Sequence, residues 1–163
     1  RTFALSAPIK IYSALMLADD LSEGKSFYMK EVDTIKEMIS RSQEGTANLF
    51  LFDEIFKGTN TTERIAVAKA VLSYLNTTDN IIVASTHDAE LATLLDTEYD
   101  LYHFSEVIQD ETFSFDYKLK SGPLYQRNAI RLLEINGFPP TVIRDAYRTI
   151  EKISYPPTST QPL

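Results

Sequence analysis

Residues 48–54 read NLFLFDE, and this stretch decides the fold. Four consecutive apolar residues are typical of a strand that is buried on both faces of a parallel sheet. Two carboxylates, Asp53 and Glu54, follow this strand directly. Burying an ion costs several kcal/mol unless a partner compensates it, so an acid pair at the tip of an apolar strand needs a physical reason.

Phosphoryl-transfer proteins hold a magnesium ion and a catalytic base with carboxylates in this position. Because side chains alternate along a strand, Asp53 and Glu54 are expected on different sides of the strand end. One can then serve the water shell of a metal while the other faces an attacking water. The alternative is that the acid pair merely ends the strand at the solvent boundary, and this feature alone leaves both interpretations open.

Strands and helices alternate around this stretch, and the pattern predicts an α/β fold. We expect a parallel sheet flanked by helices, followed by an antiparallel hairpin and C-terminal helices. The predicted strands of the sheet are residues 9–16, 48–52 and 80–85. The predicted helices between them are residues 25–41, 61–75 and 88–95, and the first carries its charges on the face opposite Tyr28, Val32, Ile35 and Ile39. The hairpin takes residues 99–108 and 113–119, and the closing helices are residues 125–136 and 140–152.

Ligands of parallel α/β sheets bind outside the carboxyl ends of the strands, which directs attention to the segment after the acid pair. Asn60 and Thr61 are polar groups that could reach a nucleotide or a partner's loop, and Gly58 allows a positive φ in a tight loop. The alternative is ordinary helix entry, with Asn60 as the cap and Glu63 completing a capping box. The short loop before the helix contains Gly58, Thr59, Asn60 and Thr61.

The neighbouring predicted strand ends in Ser85-Thr86-His87-Asp88. His87 is expected beside the acid pair at the rim of the sheet, by which we mean the edge formed by the carboxyl ends of the strands. A neutral imidazole at this rim can donate a hydrogen bond to a γ-phosphate. A lone histidine beside a strand is more often a packing or surface residue, so this alternative stays open. Asp88 is the expected cap of the next helix.

Gly24, Lys25 and Ser26 precede the first long helix. A Gly-Ser loop at a helix N-terminus is an anion site in principle, and a simple helix start is the alternative. The chain contains no G-x-x-x-x-G-K-[ST] phosphate loop, because position 19, where the earlier glycine would stand, is Asp.

Composition excludes several classes of function. The 163 residues carry a net charge of −7. Phosphate backbones are bound by Lys and Arg, so this chain is a poor candidate for the main nucleic-acid-binding surface. The absence of cysteine excludes disulfides and thiolate metal sites. No apolar run approaches the roughly 20 residues of a membrane span. We therefore expect a cytoplasmic protein with no membrane partner.

These motifs together resemble the C-terminal ATPase domain of MutS-type DNA mismatch repair proteins, which are ABC-type P-loop ATPases. The resemblance covers residues 9–152 and implies a partial P-loop (ABC/RecA-like) sheet that is truncated after the phosphate loop. Residues 1–152 would be the C-terminal part of the ATPase domain, the phosphate loop would lie upstream of Arg1, and residues 153–163 would form a flexible tail. The segments that carry the resemblance are DDLSEGKSFYMKEV, LFLFDEIFKGTNTTE, IIVASTHDAEL and GFPPTVIRDAYRTIEK.

The resemblance implies a role for each residue of the rim. Asp53 would be the Walker B carboxylate that holds Mg2+ through water, and Glu54 would be the general base on the attacking water. His87 would sense the γ-phosphate of ATP. Residues 55–57, Ile-Phe-Lys, replace a stretch that bears glycine and arginine in typical MutS, which indicates a divergent branch.

The resemblance also implies a homodimer formed through the ATPase domain. Gly58, Thr59, Asn60 and Thr61 would lie at the dimer interface near both nucleotides. Ser26, with Gly24, would reach across to the ATP of the other subunit.

We therefore expect an ATP-hydrolysing protein of mismatch repair or recombination, whose DNA is bound mainly by other domains. The fragment alone would be inactive. One alternative is a non-catalytic dimerisation and coupling module. Another is a different ABC-type ATPase, such as a chromosome-maintenance or transporter subunit.

Overall fold

A computed structural model describes residues 8–15, 27–109, 112–124 and 128–154 of the chain. The chain forms two compact units, of which the first ends at Leu101 and the second begins at Tyr102. Within the described ranges, no helix is both long enough and apolar enough to cross a lipid bilayer.

The first unit contains a parallel sheet in the order β1-β2-β3, which confirms the predicted parallel α/β arrangement. The chain alternates between strand and helix, as the hydrophobic pattern predicts. The predicted strands and helices differ from the observed bounds by two residues or fewer wherever the ends are described. The elements are β1 (Lys10–Ala14), α1 (Phe27–Ser42), β2 (Asn48–Asp53), α2 (Thr61–Leu75), β3 (Ile81–Ser85) and α3 (Ala89–Leu94).

The core of the first unit forms around β2. Phe50 and Phe52 are buried, while Leu49 and Leu51 on the alternate positions are half-buried. Burying one Phe side chain contributes about 1.5–3 kcal/mol, so this strand anchors the unit. The buried side chains of the helices that join this cluster are Ile35 and Met38 of α1, Ala68, Leu72 and Leu75 of α2, and Leu91 of α3.

The strand β3 is more exposed than its apolar sequence predicts. Ile81 is 50% exposed and Val83 is 55% exposed, so the expectation of a second fully buried strand is wrong. Among the described residues β3 pairs with β2 alone, which leaves its other edge without a neighbouring strand.

The entry of α2 follows the predicted cap only in part. The side chain of Asn60 accepts a hydrogen bond of 3.0 Å from the backbone N–H of Glu63, which confirms Asn60 as the cap. Glu63 does not return this bond to the backbone of Asn60 in the described geometry, because its carboxylate accepts from the Thr59 hydroxyl at 3.1 Å. The capping box is therefore half formed.

The second unit contains short antiparallel strands and two helices. The pair β5–β6 confirms the predicted hairpin, although Asp110 and Glu111 of its turn lie outside the described residues. The strands β4 and β7 form a second antiparallel pair. The elements are β4 (Tyr102–His103), β5 (Glu106–Gln109), β6 (Thr112–Phe115), β7 (Lys120–Ser121), α4 (Ala129–Ile135) and α5 (Pro140–Ser154).

Two long hairpin strands were expected, but the structure divides the first into β4 and β5 and ends the second at Phe115. Residues 116–119 follow this end, and Tyr117 among them has a φ of 52°. The Asp116 carboxylate accepts a hydrogen bond of 3.0 Å from the backbone N–H of Lys118 and pairs with Lys120 at 2.9 Å. An aspartate that binds its own backbone two residues on favours a turn over a continued strand.

The helix α5 begins at Pro140, as predicted, and continues to Ser154. Its apolar stripe is present, but most of it is exposed, including Val142, Tyr147, Ile150 and Ile153. Residues 125–127 at the predicted start of the preceding helix, and residues 155–163 of the predicted tail, lie outside the described residues.

The burial of β2 predicts a large and local stability effect. Phe50→Ala is expected to lower the free energy of unfolding by about 3–5 kcal/mol, because it removes a fully buried ring and leaves a cavity. Val83→Ala, on the exposed strand, is expected to cost less than about 1 kcal/mol. Urea unfolding of both variants checks the difference, and equal losses would contradict the assignment of the core.

Candidate functional site

The pairing of β2 with β3 brings the ends of both strands together. The register places Asp53 opposite Ser85, and the Ser85 hydroxyl donates a hydrogen bond to the Asp53 carboxylate. The backbone N–H of Glu54 donates to the carbonyl oxygen of Ser85 at 3.1 Å, one residue beyond the last ladder pair. The acid pair is thus fixed to the end of the neighbouring strand by backbone and side chain.

The carboxylate of Glu54 has two partners. Nε2 of His87 lies 2.7 Å from one of its oxygens, and the ammonium group of Lys57 pairs with the other. The side chain of Glu54 is 18% exposed, whereas those of His87 and Lys57 are 92% and 66% exposed. A half-buried carboxylate therefore stands between two solvent-facing nitrogen groups at the rim of the sheet.

The loop after β2 has an unusual backbone. Glu54 and Phe56 have φ values of 52° and 60°, in the left-handed region. This conformation costs about 1–2 kcal/mol for a residue other than glycine, so the surrounding structure must hold it. Gly58 is not among the described positions with positive φ, so the left-handed backbone occurs at Glu54 and Phe56 and not at the predicted glycine.

The remaining residues of the predicted loop are less informative. Ordinary helix entry accounts for the Asn60 side chain, which caps α2. Gly58 and Thr61 are exposed, and Thr59 binds Glu63. Gly24 and Ser26 lie outside the described residues.

Arg64 on α2 forms a bidentate pair with Asp88, in the loop after β3. The two nitrogen–oxygen distances are 2.9 and 2.7 Å, and both side chains are largely buried. The guanidinium group lowers the pKa of Asp88. Asp88 stands at the N-cap position of α3, but its side chain makes no capping hydrogen bond, so that prediction is wrong. The carboxylate is engaged by Arg64, because a charged bidentate partner is stronger than a backbone N–H.

Glu31 on α1 is a buried carboxylate that sequence reasoning placed on the charged face of the helix. It is 4% exposed, and one of its oxygens accepts a hydrogen bond of 2.5 Å from the backbone N–H of Phe56. Burial raises the pKa of Glu31, while the N–H groups of Phe56 and Lys57 oppose this rise. The signal was available, since Glu31 lies three residues after Tyr28 and four before Ile35 and so shares their face.

Asp53 and Ser85 provide hard oxygen ligands of the kind that Mg2+ prefers. No cluster of three or more carboxylate or imidazole groups suited to a metal occurs in the part of the chain that the structure describes. Mg2+ is commonly bound by one or two carboxylates together with water and phosphate. The exposed Asp53 carboxylate fits that mode of binding.

Comparison with known proteins gives a single family. The family described as MutS domain V matches residues 1–154. The DNA mismatch repair protein MutS of Lactobacillus delbrueckii subsp. bulgaricus is 30% identical over 149 residues, which cover 88% of this chain and 17% of that protein. The protein of the same name from Listeria monocytogenes serotype 4a is 29% identical with the same coverage. The chain thus spans 17% of the length of these curated relatives.

The pair of Arg64 and Asp88 predicts a pH-dependent contribution to stability. Asp88→Asn is expected to lower the free energy of unfolding at pH 7 by about 1–2 kcal/mol, because it weakens a largely buried charged hydrogen bond. Since the pKa of Asp88 is lowered in the folded state, this contribution is present above the ordinary carboxyl pKa of 3.8 and is lost as the pH falls through the lowered value.

Urea unfolding at a series of pH values measures the difference between the two proteins. Asp96→Asn, at an exposed aspartate, is the matched control and is expected to show little difference at any pH. A loss for Asp88→Asn that does not diminish in acid would contradict the role of the charge.

Proposed function

This chain belongs to the MutS domain V family, and we propose that it is the part of a MutS-like ATPase domain that carries the Walker B carboxylates and the histidine switch. One observation carries the proposal: Asp53, Glu54 and His87 lie together at the carboxyl ends of two adjacent parallel strands. The family match favours this proposal over other ABC-type ATPases. The proposed activity of the whole protein is ATP hydrolysis in DNA mismatch repair or recombination.

Each residue of the rim has a separate role in the proposed hydrolysis. Mg2+ would neutralise the charge that develops on the phosphoryl oxygens. Asp53 would hold this ion through water, and the Ser85 hydroxyl orients the Asp53 carboxylate. Glu54 accepts a proton from the attacking water at a carboxylate oxygen. His87, whose imidazole is exposed, donates to the γ-phosphate and reports its presence.

The contacts of Glu54 describe a resting arrangement. Both carboxylate oxygens are engaged, one by His87 and one by Lys57, and each keeps a further lone pair that can accept a hydrogen bond from an attacking water. Both partners are solvent-exposed, His87 at 92% and Lys57 at 66%, so solvent weakens both contacts. His87 would turn to the γ-phosphate when the nucleotide binds.

The active form is proposed to be a homodimer. The resemblance to MutS-type ATPase domains implies that Ser26 and Gly24 reach the nucleotide of the other subunit. It also implies that residues 58–61 lie near both nucleotides. Because the chain carries a net charge of −7, we propose that other domains of the full-length protein make the main DNA contacts.

Glu54→Gln in the full-length protein tests the role of the base. The amide keeps the size of the side chain but cannot accept the proton, so we expect ATP binding to persist and turnover to fall by about 100-fold or more. Equilibrium ATP binding and steady-state phosphate release measure the two quantities. Lys57→Met is the control, and it is expected to retain turnover because it removes a solvent-exposed partner of Glu54 that has no role in the proposed hydrolysis. Unchanged turnover in Glu54→Gln would remove Glu54 from the base role.

The exposed apolar stripe on α5 supports a second candidate function, a dimerisation and coupling module. Val142, Tyr147, Ile150 and Ile153 are exposed, and a contiguous apolar surface of this kind indicates a binding partner. This function does not need the carboxylates of the rim.

Ile150→Glu tests the second candidate function. A charge on the stripe must be desolvated in any interface that buries it, so we expect self-association of the full-length protein to weaken by about 10-fold or more. Sedimentation velocity without nucleotide measures the association, and Glu54→Gln serves as the control that leaves it unchanged. A dimer that tolerates Ile150→Glu would exclude this stripe from the interface.

A further inference from the structure

We propose that Glu31 is a positioning residue for the carboxylate of Glu54, because it ties helix α1 to the loop that follows β2. The inference rests on the proposed function, in which Glu54 activates water. It assigns Glu31 no contact with substrate. Its role is to hold the backbone that presents Glu54.

The contact is specific and joins distant parts of the sequence. One carboxylate oxygen of Glu31 accepts the backbone N–H of Phe56 at 2.5 Å, across 25 residues of chain. The other oxygen is buried and has no hydrogen-bond partner among the described residues. A buried carboxylate with one oxygen left without a hydrogen bond lowers the stability of the fold. Stability alone is therefore a weak reason for the presence of Glu31.

The loop needs such an anchor. Glu54 and Phe56 both occupy the left-handed region, and each would relax to negative φ if the surrounding contacts allowed it. The carboxylate of Glu31 binds the N–H of Phe56, only two residues from Glu54. Rotation of this backbone would move the Glu54 side chain away from the rim formed by β2 and β3.

The helix α1 holds the loop at a second point. The ring of Tyr28 packs against the ring of Phe56, with centroids 6.3 Å apart and planes tilted by 53°. Ile55 and Phe56 are both buried. The apolar contact fixes the side chain of Phe56, and the hydrogen bond from Glu31 fixes its backbone, so together they define the orientation of the residue.

Glu31 lies near the start of α1, one turn after the helix begins at Phe27. The hydrogen bond from Phe56 to Glu31 therefore ties the start of α1 to the loop that carries Glu54.

Two substitutions of Glu31 in the full-length protein separate positioning from packing. Glu31→Gln keeps an oxygen that can accept the N–H of Phe56, whereas Glu31→Met fills a similar volume without an acceptor. We expect Glu31→Met to lower kcat by about 10-fold to 100-fold, because small displacements of a catalytic group have effects of this size. The KM for ATP is expected to stay within about threefold in both variants, and kcat within about threefold in Glu31→Gln, since neither removes a substrate contact.

A core variant on the same helix provides the matched control. Met38 is buried on α1, and Met38→Ala destabilises the same helix without removing the hydrogen bond between Glu31 and Phe56. We expect Met38→Ala to lower the thermal midpoint while kcat per folded molecule is unchanged. Hydrogen exchange of the Phe56 amide is expected to accelerate in Glu31→Met and to stay near wild type in Glu31→Gln and Met38→Ala.

Two results would overturn the inference. One is a kcat in Glu31→Met that falls no more than in Met38→Ala, and the other is an equal loss in Glu31→Gln and Glu31→Met. Should Glu31→Met not fold, Glu31→Asp replaces it, since the shorter side chain withdraws the acceptor, and unchanged kcat in that variant would also overturn the inference. Failure here is distinct from failure of the proposed function, because Glu54→Gln tests the base without involving Glu31.

Discussion

The backbone ladder between β2 and β3 is the interaction on which the rest of the site depends. It sets Asp53 opposite Ser85 and continues by one hydrogen bond to Glu54, so the residues after both strands emerge at one rim. His87 follows β3 by two residues and reaches Glu54 only because of this register. A slip of one residue would turn each of these side chains to the opposite face of the sheet.

The parts of this site that were predictable are those that local sequence encodes. The apolar run before Asp53 and Glu54 indicates a strand, and the common edge of parallel strands brings His87 to the same rim. The bounds of α2 were correct because Asn60 is a strong cap and the apolar spacing is regular. These signals depend on neighbours within a few residues and need no knowledge of tertiary contacts.

The parts that escaped prediction depend on contacts between distant residues. The hydrogen bond from the backbone of Phe56 to Glu31 and the pair of Arg64 with Asp88 each join separate elements. The spacing within α1 indicates that Glu31 shares the buried face, but the local sequence does not indicate the partner of either residue. The pair with Arg64 also explains why Asp88 does not cap α3. The exposure of Val83 was missed because an apolar run does not reveal how many neighbouring strands a strand has.

The open side of β3 has a practical consequence for handling this chain by itself. One edge of β3 has no partner strand within the described ranges, and with Ile81 and Val83 exposed it offers a template for intermolecular β-pairing. The described residues place no charged side chain between Ile81 and Ser85 to discourage such pairing. Concentrated solutions of the chain would therefore tend toward ordered aggregation. Val83→Lys would place a charge on this strand and so oppose intermolecular pairing.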